Sequence, residues 1–361
     1  MAITIKDIAN RAGISAASVS RILTNRGRFS AETAQRVRQL AEEMGYYKNQ
    51  SAADLSQKVS RVIGVLVPAT HTNFADEIIK GMQRQAFELG YELLIVFLEN
   101  DVQHQIKTVK SLLSRQLLAV VMLAVDLETA VFDVLMTADT HLLSISNQLN
   151  NGIPSISSDN YAMMHTIVDY LYDQGHRQIA LIGAADPDSV VATLRRQGFI
   201  DALAKHGIRY DPTLIWGIEN AYQTGLETIQ NFGVPLPFTA VIGSADIVGI
   251  GILNGAKDAG VSVPNDLSII TVDGTDLTQL TRPRLTAVQQ NFTQMGELAI
   301  TTIANQAFSP HTIIFTDVVL KPGDTVAKNI TIEKAADRFR RLFLVNQSIL
   351  ALAHMSELMV R

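Results

Sequence analysis

The chain has 361 residues, 47% apolar and 18% charged, which predicts two or three domains with sizeable cores. It has no cysteine, which excludes disulfides, thiolate zinc sites, iron–sulfur ligation and a cysteine nucleophile. Lys6, Asp7, Asn10 and Arg11 break any signal-peptide pattern, and no run of about 18 apolar residues is present, so neither secretion nor membrane insertion is expected. The net charge of −5 conceals a split. Residues 1–60 hold nine basic side chains (Lys6, Arg11, Arg21, Arg26, Arg28, Arg36, Arg38, Lys48, Lys58) against five acidic ones (Asp7, Glu32, Glu42, Glu43, Asp54). The remainder carries 21 basic against 30 acidic residues. A basic head on an acidic body points to a polyanion as partner for the head alone.

Thr4 precedes Ile5, Ile8, Ala9 and Ala12, spaced as one helix face, with Asp7 placed to support a capped start. Gly13 can take φ > 0 and stop that helix. Ser15 can cap a second helix with Val19, Ile22 and Leu23 inward and Ala16, Ala17, Ser18, Ser20 and Arg21 on the other face. Ser30 opens a third, with Ala34, Val37, Leu40, Ala41 and Met44 buried, ending at Gly45. Three short helices with a tight turn between the first two describe a helix-turn-helix DNA reader; a small bundle with a solvated charged face is the plain alternative. Small Ala16 and Ala17 admit the second helix to the major groove, Arg21 can reach guanine or phosphate, and Ser15, Ser18 and Ser20 suit phosphate oxygens.

Val62–Val67, Leu93–Phe97 and Leu118–Leu123 are apolar runs expected to form buried parallel strands, as are Gln178–Ile182, Thr239–Ile242 and Leu267–Val272. Helices are predicted between them over Asp76–Leu89, Gln103–Arg115, Ala162–Asp173, Val190–His206, Asp246–Ala259 and Thr293–Gln306. This is a doubly wound α/β body with two lobes, and ligands of such folds bind beyond the carboxyl ends of the strands. Phe74, Asp159, Asn160, Arg195 and Asp273 fall at such places. Phe74 can stack on a ring, Arg195 presents a fork of donors, and Asp273 can accept paired hydroxyls. Asp159 can equally be a helix cap, Arg195 a surface ion pair and Asp273 a turn former. Ile313–Leu320 reads as one last strand before Lys321-Pro322-Gly323-Asp324. Beyond it, Ile332, Ala335, Ala336, Phe339, Leu342, Phe343, Ile349, Leu350 and Ala353 recur at helical spacing, although Asn346 falls on the stripe.

The runs Thr4-Ile5-Lys6-Asp7-Ile8-Ala9, Ala12-Gly13-Ile14-Ser15, Ser18-Val19-Ser20-Arg21-Ile22-Leu23, Ser30-Ala31-Glu32-Thr33, Arg36-Val37 and Gly45-Tyr46 resemble the headpiece of the LacI/GalR family of bacterial repressors, and the similarity runs on to about Thr325. The resemblance implies a helix-turn-helix domain over 1–48, a hinge helix and linker over 49–61, a periplasmic-binding-protein-like two-lobed body over 62–325 and an added amphipathic helix over 326–361. It implies that Thr4, Ser15, Ala16, Ala17, Ser18, Ser20, Arg21, Asn25, Arg28 and Thr33 meet DNA. Ala52 and Leu55 would join them from the hinge, the leucine wedging into the minor groove. Ala53, Asp54 and Lys48 depart from the pattern; Asp54 would add negative charge near phosphates, which Lys58 and Arg61 could partly offset. Phe74, Arg195 and Asp273 match effector-contact positions. Ala245 stands where sugar-binding relatives have Asn, Gly274 replaces an acid, and Asn73 and Ala75 flank Phe74 where Pro and Phe are common. Asn220 replaces a pocket-closing aromatic, for which Trp216 or Tyr222 is available.

The implied function is a transcription regulator, most simply a repressor of carbohydrate-utilisation genes. It would use no cofactor or metal, and a sugar or sugar-phosphate effector would control operator binding. A homodimer is implied, with a tetramer or self-docking open for the tail, in the bacterial cytoplasm at the nucleoid. A sugar-binding protein without DNA function, or a regulator controlled by a protein, are the competing readings. No GxxxxGK[ST], HExxH or GxSxG motif supports an enzyme, and the eight histidines are scattered.

Overall fold

The computed structural model describes residues 3–25, 27–46, 60–69, 74–149, 152–218 and 220–329. The expected hinge with Ala52 and Leu55, and the expected helix over 331–361, lie outside these residues. The chain falls into two compact units, Met1–Ser60 and Arg61–Arg361.

The first unit is three helices, α1 (Ile5–Ala12), α2 (Ala16–Leu23) and α3 (Ala31–Glu43). Each start is fixed by a side chain that satisfies an otherwise orphaned amide. Thr4 and Asp7 form a reciprocal capping box, while Ser15 and Ser30 accept from the amides of Ser18 and Thr33. Gly13, at φ 67° and ψ 29°, ends α1 in the left-handed region where a Cβ is costly. Ile8, Val19, Ile22 and Val37 form the centre of the small core. Arg36 ties α3 to α1 by donating to the Ala12 carbonyl at 2.9 Å.

The second unit has two lobes, each a six-stranded sheet between helical layers. Lobe one orders its strands β11-β5-β4-β3-β1-β2, all parallel. These are β1 (Val62–Pro68), β2 (Glu92–Leu98), β3 (Ala119–Leu123), β4 (His141–Ile145), β5 (Ser155–Ser158) and β11 (Ile313–Thr316). Helices α4 (Ala75–Leu89) and α12 (Phe292–Ala304) cover one face, α5 (Val102–Leu113) and α6 (Thr129–Met136) the other. Lobe two repeats the plan as β12-β10-β9-β8-β6-β7, from β6 (Ile179–Ile182), β7 (Ile215–Trp216), β8 (Ala240–Gly243), β9 (Ser268–Asp273), β10 (Thr286–Gln290) and an antiparallel edge strand, β12 (Val318–Lys321). Helices α7 (Asn160–Asp173) and α8 (Val190–Lys205) flank one face, α9 (Tyr222–Phe232) and α10 (Asp246–Asp258) the other, and α11 (Leu277–Leu280) closes a loop.

Every long apolar run became a strand, because a parallel strand covered on both faces needs unbroken apolar residues. The sequence reading misses β4, β5, β7 and β10, which are short and interrupted by serines and glutamines, as in Ser155-Ile156-Ser157-Ser158. It also misses α6, α9 and α11. The run Ile313–Leu320, read as one strand, is two: it leaves the edge of one sheet at Thr316 and joins the other at Val318. Three crossovers therefore join the lobes, at β5–α7, β10–α12 and β11–β12. Helices cross closely where glycine removes a side chain: a Cβ at Gly225 of α9 would overlap the Val248 carbonyl of α10, and one at Gly296 of α12 would overlap Ile78 of α4.

Candidate functional site

In the first unit, the exposed face of α2 presents Ala17 and Arg21, with Ser18 and Ser20 half-buried beside them. Among the described residues, Arg21 makes only a long hydrogen bond, from Nε to the Ala17 carbonyl at 3.3 Å, which leaves its two Nη groups for a ligand. Asn25, Arg28 and Thr4 are exposed and Thr33 is half-buried. Asn25 adopts φ 57° to turn the chain after α2, and Arg38 donates to its Oδ1 at 3.1 Å. Ala16 departs from expectation: its methyl packs against the core. Ser15 and Ser30 are committed as caps, their hydroxyls bonded to those of Ser18 and Thr33.

The second unit holds a cavity of about 200 Å³ between its lobes, at the carboxyl ends of both sheets. Phe74, Ala124, Asp126, Ser146 and Asn147 line it from lobe one. Ser189, Val191, Arg195, Asn220, Ser244, Ala245, Ile247, Asp273 and Gln290 line it from lobe two. The order β2-β1-β3-β4-β5, mirrored by β7-β6-β8-β9-β10, is the doubly wound pattern whose ligands bind at that end.

Arg195 on α8 is 6% exposed. Its Nε donates to Asn160 Oδ1 at 2.8 Å and its Nη1 to the Ser244 carbonyl at 2.5 Å. Nη2 makes no hydrogen bond among the described residues. Asp273, 5% exposed at the end of β9, accepts from Gln290 Nε2 at 2.8 Å. Burial pushes its carboxyl up to about 7, aided by the Asp246 charge and opposed by Arg195 and Gln290. Burial likewise raises Asp246 and lowers Arg195. Asp246 accepts from Thr271 Oγ1, Gly274 N, Thr275 N and Thr275 Oγ1, at 2.7, 3.2, 2.6 and 2.8 Å. With Asp246 saturated by donors, the proton of this carboxyl pair belongs on Asp273.

Asp273 has φ 98°, Ala124 φ 49° and Ser146 φ 61°, all left-handed and all on the cavity wall. Such backbone costs of order 1–3 kcal/mol per residue and concentrates at functional sites. Gly274 follows at φ 65°, packed so that a Cβ would overlap the Gln289 backbone, which is why no second acid stands there.

The structure thus brings together Phe74, Arg195 and Asp273. One face of Phe74 is already stacked on Phe292, with centroids 4.7 Å apart. Asp159 is not on the wall; it caps α7 by accepting from Ala162 N at 2.9 Å. Asn160 is not on the wall either and instead holds Arg195 in place. Trp216 packs edge-on against Phe232, and Tyr222 accepts from Asn254, so neither closes the cavity. Asn220 stays on the wall, accepting from Ser244 Oγ. Sequence reading misses Asp126, Asn147, Ser244 and Gln290. Asn147 Nδ2 donates to Asp126 Oδ1 at 2.5 Å, forming a polar pair on the lobe-one wall. The available signal was position, since each of these follows or ends a strand. Among the described residues, no group of three or more His, Asp or Glu could hold a metal ion, and no helix is long and apolar enough to cross a membrane.

Residues 4–49 match the profile of "Bacterial regulatory proteins, lacI family", and residues 168–326 match a periplasmic binding protein-like domain. The HTH-type transcriptional repressor CytR of Escherichia coli (strain K12) is 32% identical over 315 residues, which cover 86% of this chain and 91% of that protein. Catabolite control protein A of Staphylococcus xylosus is 27% identical over 306 residues, covering 83% and 91%. Among solved structures, the LacI family regulator CCPA from Weissella paramesenteroides with bound sucrose has a TM-score of 0.70 and 39% identity, covering 74% of this chain and 99% of that one. The lac repressor dimer bound to operator and the anti-inducer ONPF has a TM-score of 0.80 over 91% and 100%, and at 23% identity supports the fold. These relatives are transcription regulators rather than enzymes. The three capped helices, the paired α/β lobes and an identity of 32% across nine-tenths of CytR lead to one assignment: the chain belongs to the lacI family of bacterial regulatory proteins.

Proposed function

We propose that the protein is a sequence-specific transcriptional repressor whose grip on an operator is set by a small polyhydroxylated effector in the interlobe cavity. The observation that carries this is the buried Arg195–Asp273 pair, held by Asn160, Ser244 and Gln290 among strained backbone, on the wall of a cavity spanned by both lobes. A site so costly to build is the mark of a ligand that recovers the strain on binding.

Two copies read half-sites in successive major grooves through α2, with Ala17, Ser18, Ser20, Arg21, Asn25 and Arg28 toward DNA and Thr4 and Thr33 near the backbone. Ala52 and Leu55 act in the minor groove between them. The dimeric lac repressor bound to operator supports this pairing. The structure of CCPA with sucrose supports a carbohydrate effector, and a regulator acting on chromosomal DNA would work in the bacterial cytoplasm. Effector and operator are coupled reciprocally, so each changes the affinity of the other by the same factor.

The test is fluorescence anisotropy of the full-length chain on promoter fragments from its own locus, with and without a panel of neutral sugars. Arg21→Ala should lose about 1–3 kcal/mol of operator affinity if the arginine reads a guanine. Asp273→Ala should keep DNA binding and lose the sugar response. Absence of preference for any promoter over random competitor, in either ligand state, refutes the proposal.

A further inference from the structure

After β12 the chain crosses the amino ends of the lobe-two strands in one direction. Thr325 donates to the Ile269 carbonyl of β9 at 2.6 Å and accepts from the Thr286 amide of β10 at 2.8 Å. Ala327 donates to Ser268 Oγ and its carbonyl bonds His176 Nε2, at 3.1 Å each. Asn329 then donates from its amide to the Gln174 carbonyl, just before β6, and from its side chain to Thr239 Oγ1, just before β8. Residue 330 therefore starts beside Arg177 and Pro237, and the path points on toward β6 and β7. A hollow of about 500 Å³ opens at that place, lined among others by Arg177, Gln178, Arg209, Tyr210, Leu214 and Pro237.

The hollow is uncovered in its apolar part and unbalanced in its charge. Pro212 and Pro237 are exposed, and Val234 nearby is 62% exposed. Arg177 spends Nη1 on the Tyr172 and His176 carbonyls and lies 3.5 Å over the Tyr172 ring, all neutral partners. Arg209 makes no hydrogen bond among the described residues, and its neighbour Asp211 gives Oδ1 to the Thr213 amide and hydroxyl. Two cations thus border apolar surface with one carboxylate between them, and that carboxylate is already bonded. Residues 330–337 carry what is missing. Ile332, Ala335 and Ala336 are apolar at helical spacing, and Glu333 and Asp337, four residues apart, form an acidic row beside that stripe. Glu333 lies four residues beyond the anchored Asn329, a reach of at most about 14 Å. A segment from a second copy would have to enter past the one already tethered at the rim. We propose that residues 330–337 dock in this hollow of their own lobe two, with Ile332 on Leu214 and Pro237 and Glu333 between Arg177 and Arg209. The contact straps the following residues to the base of that lobe.

Because the chain has no cysteine, an introduced pair reports the contact cleanly. In the full-length protein, Gln178→Cys with Ile332→Cys should oxidise to a disulfide within one chain, seen as a faster-running monomer on a non-reducing gel. Failure of that disulfide to form, or a disulfide between copies, overturns the proposal. Tethering alone predicts no dependence on charge, so hydrogen exchange by mass spectrometry follows peptides 207–214 and 330–337 in the cysteine-free chain. Both should be protected. Arg209→Glu should speed exchange in both by about fivefold or more, and adding Glu333→Arg should restore protection. Exchange of 330–337 at the unprotected rate, or protection indifferent to Arg209→Glu, overturns the proposal. Inorganic phosphate that protects 207–214 while 330–337 exchanges freely makes the hollow an anion site and overturns it as well.

Discussion

Asp246→Asn isolates what holds the lobe-two wall. The carboxylate is 1% exposed and receives four hydrogen bonds, two on each oxygen. An amide keeps one oxygen. It will turn that oxygen toward Thr275, where N and Oγ1 lie at 2.6 and 2.8 Å, and set its NH2 against Thr271 and Gly274. Thr271 can rotate its hydroxyl to accept, but the Gly274 amide cannot, and a buried donor left unpaired costs about 1–3 kcal/mol. The two bonds that survive lose their charge assistance. Relief of the buried charge offsets part of this, leaving a net loss of about 3 kcal/mol, or roughly 5 °C in Tm for a unit of about 300 residues.

The same substitution removes a negative neighbour of Asp273, whose carboxyl should then titrate below its present value of about 7. A carboxyl raised in the folded state contributes most to stability below its unfolded value near 4, and the contribution is lost as pH rises toward 7. Wild type should therefore lose stability between pH 5 and pH 8 through this group, and Asp246→Asn should lose less. Thermal unfolding followed by circular dichroism at both pH values, with carboxyl carbon shifts of Asp273 by NMR, measures both effects. A Tm within 2 °C of wild type (about 1 kcal/mol or less), or an unmoved Asp273 midpoint, refutes the reasoning.

Gly225→Ala should force α9 and α10 apart and cost about 2–3 kcal/mol by thermal unfolding, because its methyl would overlap the Val248 carbonyl. Ser15→Ala should cost α2 about 1 kcal/mol, read as faster amide exchange confined to that helix in the full chain. Burial lowers the pKa of His176, whose ring bonds Thr239 Oγ1 and the Ala327 carbonyl. The unfolded chain takes up the proton first, so stability is present above about pH 6.5 and lost as pH falls below it. Exchange at the Asn329 amide, which donates to Gln174, should accelerate below pH 6, and His176→Gln should flatten that dependence.

The headpiece was legible because its signals are local: Thr4, Ser15 and Ser30 cap within one turn, and Gly13 marks the left-handed stop. The body was legible wherever a strand is buried on both faces and long enough to show as an apolar run. β5 has two-sided burial too, yet its core-facing positions include serines, so nothing in composition separates it from a loop. The site was half legible. Phe74, Arg195 and Asp273 stand at positions that type and resemblance single out. Asn147 belongs to the loop after the missed strand β4, and Asp126 to the loop before the missed helix α6. Neither Ala124 nor Ser146 announces a positive φ; tertiary packing imposes it. Asp159 was misassigned to the wall because a residue at a strand's end and one starting a helix can be the same residue, and the cap claimed it.

The splitting of Ile313–Leu320 between two sheets bears on how the chain is made. Residues 62–158 leave the ribosome before the rest of the two-lobed unit and contain five strands of lobe one, yet that lobe is unfinished. Phe292, Met295, Ala299, Ile300 and Ile303, the α12 side of its core, are not yet translated, and neither is its edge strand β11. All of lobe two through β10 must emerge in between. The nascent first lobe therefore waits with the α12 side of its core uncovered while its neighbour is synthesised, and the two halves reach their native form nearly together, once β11 and β12 have emerged.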